Sequence, residues 1–335
     1  MSFFNAYYVI VRTTIKDHGA RMSKYHILSL DGGGIRGIIT AVLLNRLNTD
    51  PEIGDFLEGV DLIAGTSTGG IIALALAKGA SPADLVELYK GLGPKVFSDS
   101  LWDNIKDLGS VLGAQYDTQP LEQELKGFLG ETTTLGQLTK SVLITTFDLD
   151  NLRPEPDKRT WKPKLFHNIG QSSDTEALAY KVGLYTSSAP TYFPSVDGYI
   201  DGGVYANNPS MCALAQSQDE RVYPKCPRLS DVVLLSLGTG TSLTYLEGGN
   251  LDWGMGQWVK PLISLLMDGV AGIADFQCKK LLHDNYHRLA PVFPPGVKIE
   301  MDATEHIALM IEFANNLDLS AAVSWIKQSW LNLDD

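Results

Sequence analysis

The sequence predicts an α/β fold: a mostly parallel central sheet in three layers, with helices on both faces. Short apolar runs recur without the period-two alternation of half-exposed strands, which is the pattern of strands buried on both sides. Each run is followed by apolar residues at helical spacing, and glycines stand at the strand-to-helix junctions. A chain of 335 residues with 44% hydrophobic and 20% charged residues is long and apolar enough to bury a large core.

The first strand is Tyr25-His26-Ile27-Leu28-Ser29-Leu30, followed by glycines and a helix that carries Ile38, Ile39, Val42, Leu43 and Leu47 on one face. Val60 to Ala64 is the second strand, and Ile71 to Ala77 lies in its helix. Ser81 as cap and Pro82 in the first turn begin another helix, with Leu85, Val86 and Leu88 facing inward. Residues 91–136 read as irregular and rich in Gly, Asp and Ser, a candidate flap. The β-branched run Ser141 to Phe147 is a strand. Residues 153–164 read as a Pro- and Lys-rich loop, followed by a helix from about Glu176 to Ser187. Tyr199-Ile200 leads into Asp201-Gly202-Gly203, Asn208-Pro209 starts a helix, and Asp231 to Leu237 is a continuous apolar strand. Residues 22–335 read as a single domain behind an N-terminal extension, 1–21, that plays no part in the chemistry; Met22 offers a second start.

A net charge of −12 argues against a nucleic-acid partner and against electrostatic capture by anionic lipid. Three scattered cysteines, Cys212, Cys226 and Cys278, form neither a disulfide framework nor a metal-ligand spacing, as expected of a cytoplasmic protein. No cofactor is expected. No apolar stretch reaches the roughly 18–20 residues that span a bilayer.

Gly65-Thr66-Ser67-Thr68-Gly69 joins a strand to a helix, which holds Ser67 on a sharp bend above a helix N-terminus. A serine nucleophile there requires an oxyanion site and a base. Asp31-Gly32-Gly33-Gly34-Ile35-Arg36-Gly37 also follows a strand and opens a helix, leaving backbone N–H groups free for an anion. Its spacing fits a dinucleotide fingerprint, but that reading needs an acid at the end of the second strand, and Asp61 lies at the beginning. An oxyanion held by the N–H groups of Gly32 to Gly34 is the better match. For the base, His167, His283, His287 and His306 follow the serine, none in a short loop directly after a strand. His283 and His287 read as one helical turn apart, with no third ligand to make a metal site. Asp201-Gly202-Gly203 is read either as a plain turn or as the site of a carboxylate base.

The chain resembles the patatin-like phospholipases, lipid acyl hydrolases that use a Ser–Asp dyad. The resemblance rests on five blocks in the family's order: residues 31–37 and 65–70, Thr186-Ser-Ser-Ala-Pro-Thr-Tyr-Phe-Pro194, Asp201-Gly-Gly-Val-Tyr-Ala-Asn-Asn-Pro209 and Leu235-Ser-Leu-Gly-Thr-Gly240. They cover about residues 24 to 240; Tyr286-His287-Arg288 and Met301-Asp302 are similar to the family's C-terminal part, with less specificity, and 241–335 is expected to be largely helical. The resemblance implies Ser67 as nucleophile and Asp201 as general base. It implies an oxyanion hole from Gly32, Gly33 and Gly34 with the N–H of Thr68, and places Arg36 as a substrate contact near that loop. The implied substrate is a lipid at a membrane surface, met peripherally. Residues 253–274, with Trp253, Trp258, Leu262, Leu265 and Leu266, are a candidate interfacial helix, set against an ordinary helix packed on the sheet. Rival readings on the same fold are an effector switched on by a nucleotide messenger, an acyltransferase, and a storage or binding protein.

Overall fold

The computed structural model describes residues 24–96, 114–221 and 226–333. The expectations for residues 1–21, and for the 97–113 part of the flap, lie outside the described residues. Seven strands form one sheet: β1 (Tyr25–Leu30), β2 (Leu62–Thr66), β3 (Ser141–Asp148), β4 (Lys162–His167), β5 (Tyr199–Asp201), β6 (Val232–Leu237) and β7 (Tyr286–Leu289). Their order is β4-β3-β2-β1-β6-β7, with β5 paired to β3. The β3-β2-β1-β6-β7 part is parallel, whereas β4 and β5 run antiparallel to β3. The sheet is therefore mixed but mostly parallel. Strand order reverses at β1, and clefts at such reversals open at the carboxyl ends of the strands.

The helices are α1 (Gly37–Asn48), α2 (Thr68–Lys78), α3 (Pro82–Val96), α4 (Gln119–Leu129), α5 (Ala179–Ser187), α6 (Gly203–Ala206), α7 (Ser210–Ser217), α8 (Met255–Leu282), α9 (Ile307–Asn316) and α10 (Ser320–Trp325). Two apolar clusters lie on opposite faces of the sheet. Leu28 and Leu30 of β1 join the larger one with residues of α1, α2, α3, α4 and α5, while Ile27 points into the smaller one with Ala213 and Leu214 of α7 and Cys278 and Leu282 of α8. Successive side chains of a strand face opposite ways, so an all-apolar strand needs a cover on each side. This is the three-layer arrangement expected.

Several boundaries differ from expectation. The second strand starts at Leu62, not Val60, and runs on to Thr66 at the serine turn. The fifth helix starts at Ala179, after a short 3-10 turn at Ser173–Glu176. Within 91–136, α3 continues to Val96 and α4 packs Leu121, Leu125 and Leu129 into the core, so those parts are regular. The segment read as a loop contains the start of β4, an edge strand whose exposed Lys162 and Pro163 hid its pairing with β3. Tyr286–Leu289 is a strand, so His283 and His287 do not share a helix face; His287 stacks on Trp325 at 5.2 Å.

The C-terminal segment closes against the start of β1. Trp330 is buried, packing on His26 at 4.6 Å and edge-on to Phe56 at 6.0 Å. Truncating a buried tryptophan costs about 3–5 kcal/mol. Trp330→Ala is expected to lower the urea midpoint by a corresponding amount at constant slope; a change near zero would mean this closure is dispensable.

Candidate active site

The turn after β2 departs from ordinary geometry. Ser67 caps α2 with φ 54° and ψ −125°, a conformation rare for a residue with a side chain and worth roughly 1–3 kcal/mol of strain. Its N–H donates to Thr186 Oγ1 at 2.8 Å, and that hydroxyl donates to the Thr145 carbonyl of β3 at 2.7 Å. A Cβ on Gly69 would collide with the carbonyl oxygens of Leu30 and Asp31, so the turn after β2 sits directly on the backbone that follows β1.

Asp201 reaches the same place through the register of the sheet. Thr66 pairs with Thr145 and Asp201 with Thr146, so β3 sets the last residue of β2 and the last of β5 side by side. The Asp201 N–H donates to the Ser188 carbonyl at 3.0 Å, and a Cβ on Gly202 would strike Thr145, which leaves only glycine room to press against β3. The carboxylate is buried, accepts the Gly203 N–H at 2.7 Å, and accepts the Ser67 hydroxyl. Burial raises its pKa to about 6, and the bonds from Ser67 and Gly203 hold it from rising further.

The glycine loop faces this pair. Among the described residues no acceptor takes the N–H of Gly33, of Gly34, or of Thr68 at the first turn of α2. Gly32 differs from expectation, because its N–H donates to the Asn207 carbonyl at 3.0 Å and is committed to holding the loop. Gly34 has φ +59°, and a Cβ there would meet the Met301 carbonyl. Thr239, from the Leu235–Gly240 block, donates its hydroxyl to the Gly32 carbonyl at 3.0 Å.

Two contacts from the far end of the chain fix the loop, and the sequence reading assigned them no role. Arg288 of β7 grips Asp31 with both nitrogens, at 3.1 and 2.5 Å, and donates to Ser236 Oγ at 2.7 Å. Burial works against the Arg288 charge, but the Asp31 carboxylate raises its pKa overall. The Met301 carbonyl accepts the Ile35 N–H at 2.8 Å. The only signals for these residues were the weakly specific similarities at 286–288 and 301–302.

A cavity of about 640 Å³ opens over Ser67, lined by apolar groups of α2, α3 and α4 together with Tyr89, Asp201, Met267 and Met301. Thr68 also lines it, and its hydroxyl is hydrogen bonded to that of Tyr89. Asp201 is the titratable carboxylate beside Ser67, and among the described residues no histidine is part of this lining. Arg36 is absent from it as well. Its Nη1 donates to the Ile299 carbonyl at 3.4 Å, its Nε is buried without a partner, and burial lowers its pKa against the pull of Asp268 and Glu300. The expected substrate contact of Arg36 is therefore not part of the cavity wall. Among the described residues no group of three or more His, Cys, Asp or Glu is placed to hold a metal ion.

A serine hydroxyl on a strained turn, a buried carboxylate that accepts its hydrogen bond, and N–H groups without an acceptor among the described residues make an arrangement suited to acyl transfer. The chain belongs to the patatin-like phospholipase family: the family's profile matches residues 28–214. Patatin-T5 of Solanum tuberosum is 29% identical, over 94% of this chain and 89% of its own. Protein teg of Priestia megaterium is 27% identical, over 92% of this chain and all of its own. Among solved structures, VipD from Legionella pneumophila aligns with 87% of this chain and 67% of its own at 13% identity and a TM-score of 0.40.

Arg288→Met is expected to lower kcat about tenfold or more while KM stays within about threefold, since it loosens donors to a developing charge and not the cavity. Arg288→Lys should recover part of the loss. Equal loss in kcat and 1/KM, with no rescue, would mean the pair acts only on folding.

Proposed function

We propose that this protein is a serine lipid acyl hydrolase of the phospholipase A type, cleaving fatty-acyl esters of membrane lipids through an acyl-enzyme on Ser67 with Asp201 as base. One observation carries the reading: a buried carboxylate with raised pKa accepts the hydroxyl of a strained-turn serine at the wall of a mostly apolar cavity.

The cycle follows from the placement of groups. Asp201 takes the Ser67 proton as Oγ attacks the ester carbonyl, and the oxygen that becomes negative is met by the N–H groups of Gly33, Gly34 and Thr68. Removing one such donor from an oxyanion site typically costs about 3–4 kcal/mol of barrier lowering, enough to support a base as weak as a carboxylate. The alcohol half leaves with the proton from Asp201, and water activated by the same carboxylate releases the fatty acid. A carboxylate pKa near 6 serves this better than one near 3.8, because the carboxylate is the stronger base toward the Ser67 hydroxyl, while its conjugate acid can still protonate the leaving group.

Delivery of the lipid falls to α8. Ala274, Cys278 and Leu282 are buried, whereas Leu262, Leu265, Leu266 and Ile273 stand exposed next to Met267, which reaches the cavity. The buried side chains thus lie at the C-terminal end, from Ala274 on, whereas the exposed apolar ones of 253–274 lie before it, which supports the interfacial reading of that segment. With a net charge of −12, adsorption would rest on these side chains rather than on basic residues. Among the described residues no helix is long and apolar enough to cross a membrane.

Ser67→Ala and Asp201→Asn are each expected to abolish fatty-acid release from mixed lipid vesicles, with the fold retained by circular dichroism; near-wild-type turnover in either would remove the dyad. The active form is the ionised carboxylate, so kcat/KM should rise with pH, pass half-maximum near pH 6 and level off above. The same shift works against stability. The folded pKa lies above the unfolded 3.8, so the contribution of Asp201 to stability is complete below about pH 4 and is lost as pH rises through about 6. Asp201→Asn should therefore melt higher than wild type at pH 8, with the difference shrinking at pH 5; a lower melting temperature at pH 8 would contradict this.

A further inference from the structure

The loop 149–161 joins β3 to the antiparallel β4 and has no part in the site described above. It leaves the sheet at the catalytic edge, because Thr66 pairs with Thr145 and Asp201 with Thr146 near the end of β3. Side-chain bonds hold it in one shape. Asp150 accepts the Leu152 N–H at 3.0 Å and is gripped by Arg159; Asn151 accepts the Thr160 N–H at 3.2 Å and donates to the Lys158 carbonyl at 2.9 Å. This ordered loop nevertheless presents two large apolar side chains to solvent, Leu152 at 75% exposure and Trp161 at 69%. Leu152 also has φ 50°, in the left-handed region where glycine is free and leucine is strained. A leucine there buries little and strains the backbone. The fold gains nothing by it, so its use lies in what it can touch outside.

We propose that this loop, through Leu152 and Trp161, is a second docking element for a lipid surface, beside α8; the inference rests on the lipid substrate argued above. Residues 152–163 are exposed without a break, so the loop projects and lines no groove. A projecting element meets a folded partner only in a matching pocket, and the centres of protein interfaces are poor in charged residues. Here Arg153, Glu155, Lys158 and Lys162 surround the two apolar groups. A lipid surface needs no pocket, and its interface takes up tryptophan beside cationic side chains. Asp150 is paired with Arg159 and Glu155 with Lys158, whereas Arg153 and Lys162 have no ion pair among the described residues. That leaves two cations for lipid phosphates against one unpaired acid, Asp157. The root of the loop is also continuous with α8. Phe147 stands opposite Pro163 and packs on Tyr205 of α6 at 6.1 Å, and Gly203 of α6 lies against Met267 of α8. Insertion of Leu152 and Trp161 adds apolar contact without the long-range attraction that a net charge of −12 argues against.

Docking is read by co-sedimentation with vesicles of diether phosphatidylcholine, which carry no ester to cleave, so the result is independent of the nucleophile. Leu152→Gly and Trp161→Ser are each expected to lower the partition coefficient roughly tenfold. Both should hydrolyse a monomeric short-chain ester within about twofold of the wild-type rate, since neither residue touches the site. Leu152→Gly removes the strain at φ 50° and should melt no lower than the wild type, which separates its loss of docking from any loss of fold. Unchanged partition in either variant would overturn the assignment, as would a short-chain rate that falls in step with partition. A concentration-dependent dimer, seen by light scattering in the wild type and lost in Leu152→Gly while partition is unchanged, would give the loop to a second copy instead. Failure of the acyl-hydrolase reading shows elsewhere, as ester turnover that survives in Ser67→Ala.

Discussion

Backbone lies directly on backbone where the turns after β1 and β2 meet, and the rest of the site depends on that contact. A side chain on Gly69 would strike the carbonyls of Leu30 and Asp31, and one on Gly65 would strike the backbone of Gly69 and Gly70. With no side chain between them, the serine turn and the glycine loop stand close enough for one substrate carbonyl to touch both. The strained φ of Ser67 is held by neighbours on all sides, through Thr186 to β3 and through the helix it caps. Strain of this kind persists only where the surroundings over-determine it.

The carboxylate is the costly element. Asp201 is buried and its ionised form is disfavoured there, and the fold spends hydrogen bonds from Ser67 and Gly203 to keep it within reach of neutral pH. Polar residues beneath the site hold its segments together. Thr66 donates to the Ala206 carbonyl at 2.6 Å, and Ser210 ties α7 to Ser29 of β1 and Ser236 of β6. This network links the strands that carry the serine, the glycine loop and the Arg288 contact, so the segment after Asp201 cannot shift without disturbing them. Buried polar groups joined in this way specify one arrangement more than they add stability.

The sheet strands β1, β3 and β6 and the two glycine-flanked turns were legible in the sequence because each is a local pattern: an unalternated apolar run for a strand, and small residues followed by helical spacing for a turn. Asp201 was legible only through its company, since an Asp-Gly-Gly turn has no pattern of its own. What escaped depends on contacts distant in sequence. The bond of Gly32 to Asn207 and the grip of Arg288 on Asp31 span most of the chain, and no spacing rule announces either. Arg36 misled for the same reason: its neighbourhood in sequence is the glycine loop, but its guanidinium turns toward Ile299 and the charges of Asp268 and Glu300. β4 escaped because an edge strand is built from charged residues and proline, which read locally as loop.

The reactivity of Ser67 is read most directly by treating the protein with a fluorophosphonate and mapping the adduct by mass spectrometry. Attack by an activated serine displaces fluoride and leaves a phosphonyl group whose oxygen occupies the oxyanion position. A single adduct on Ser67, forming faster above pH 6 than at pH 5 and absent in Asp201→Asn, is the predicted result. Adduct on another serine, or none on Ser67 at neutral pH, would contradict it.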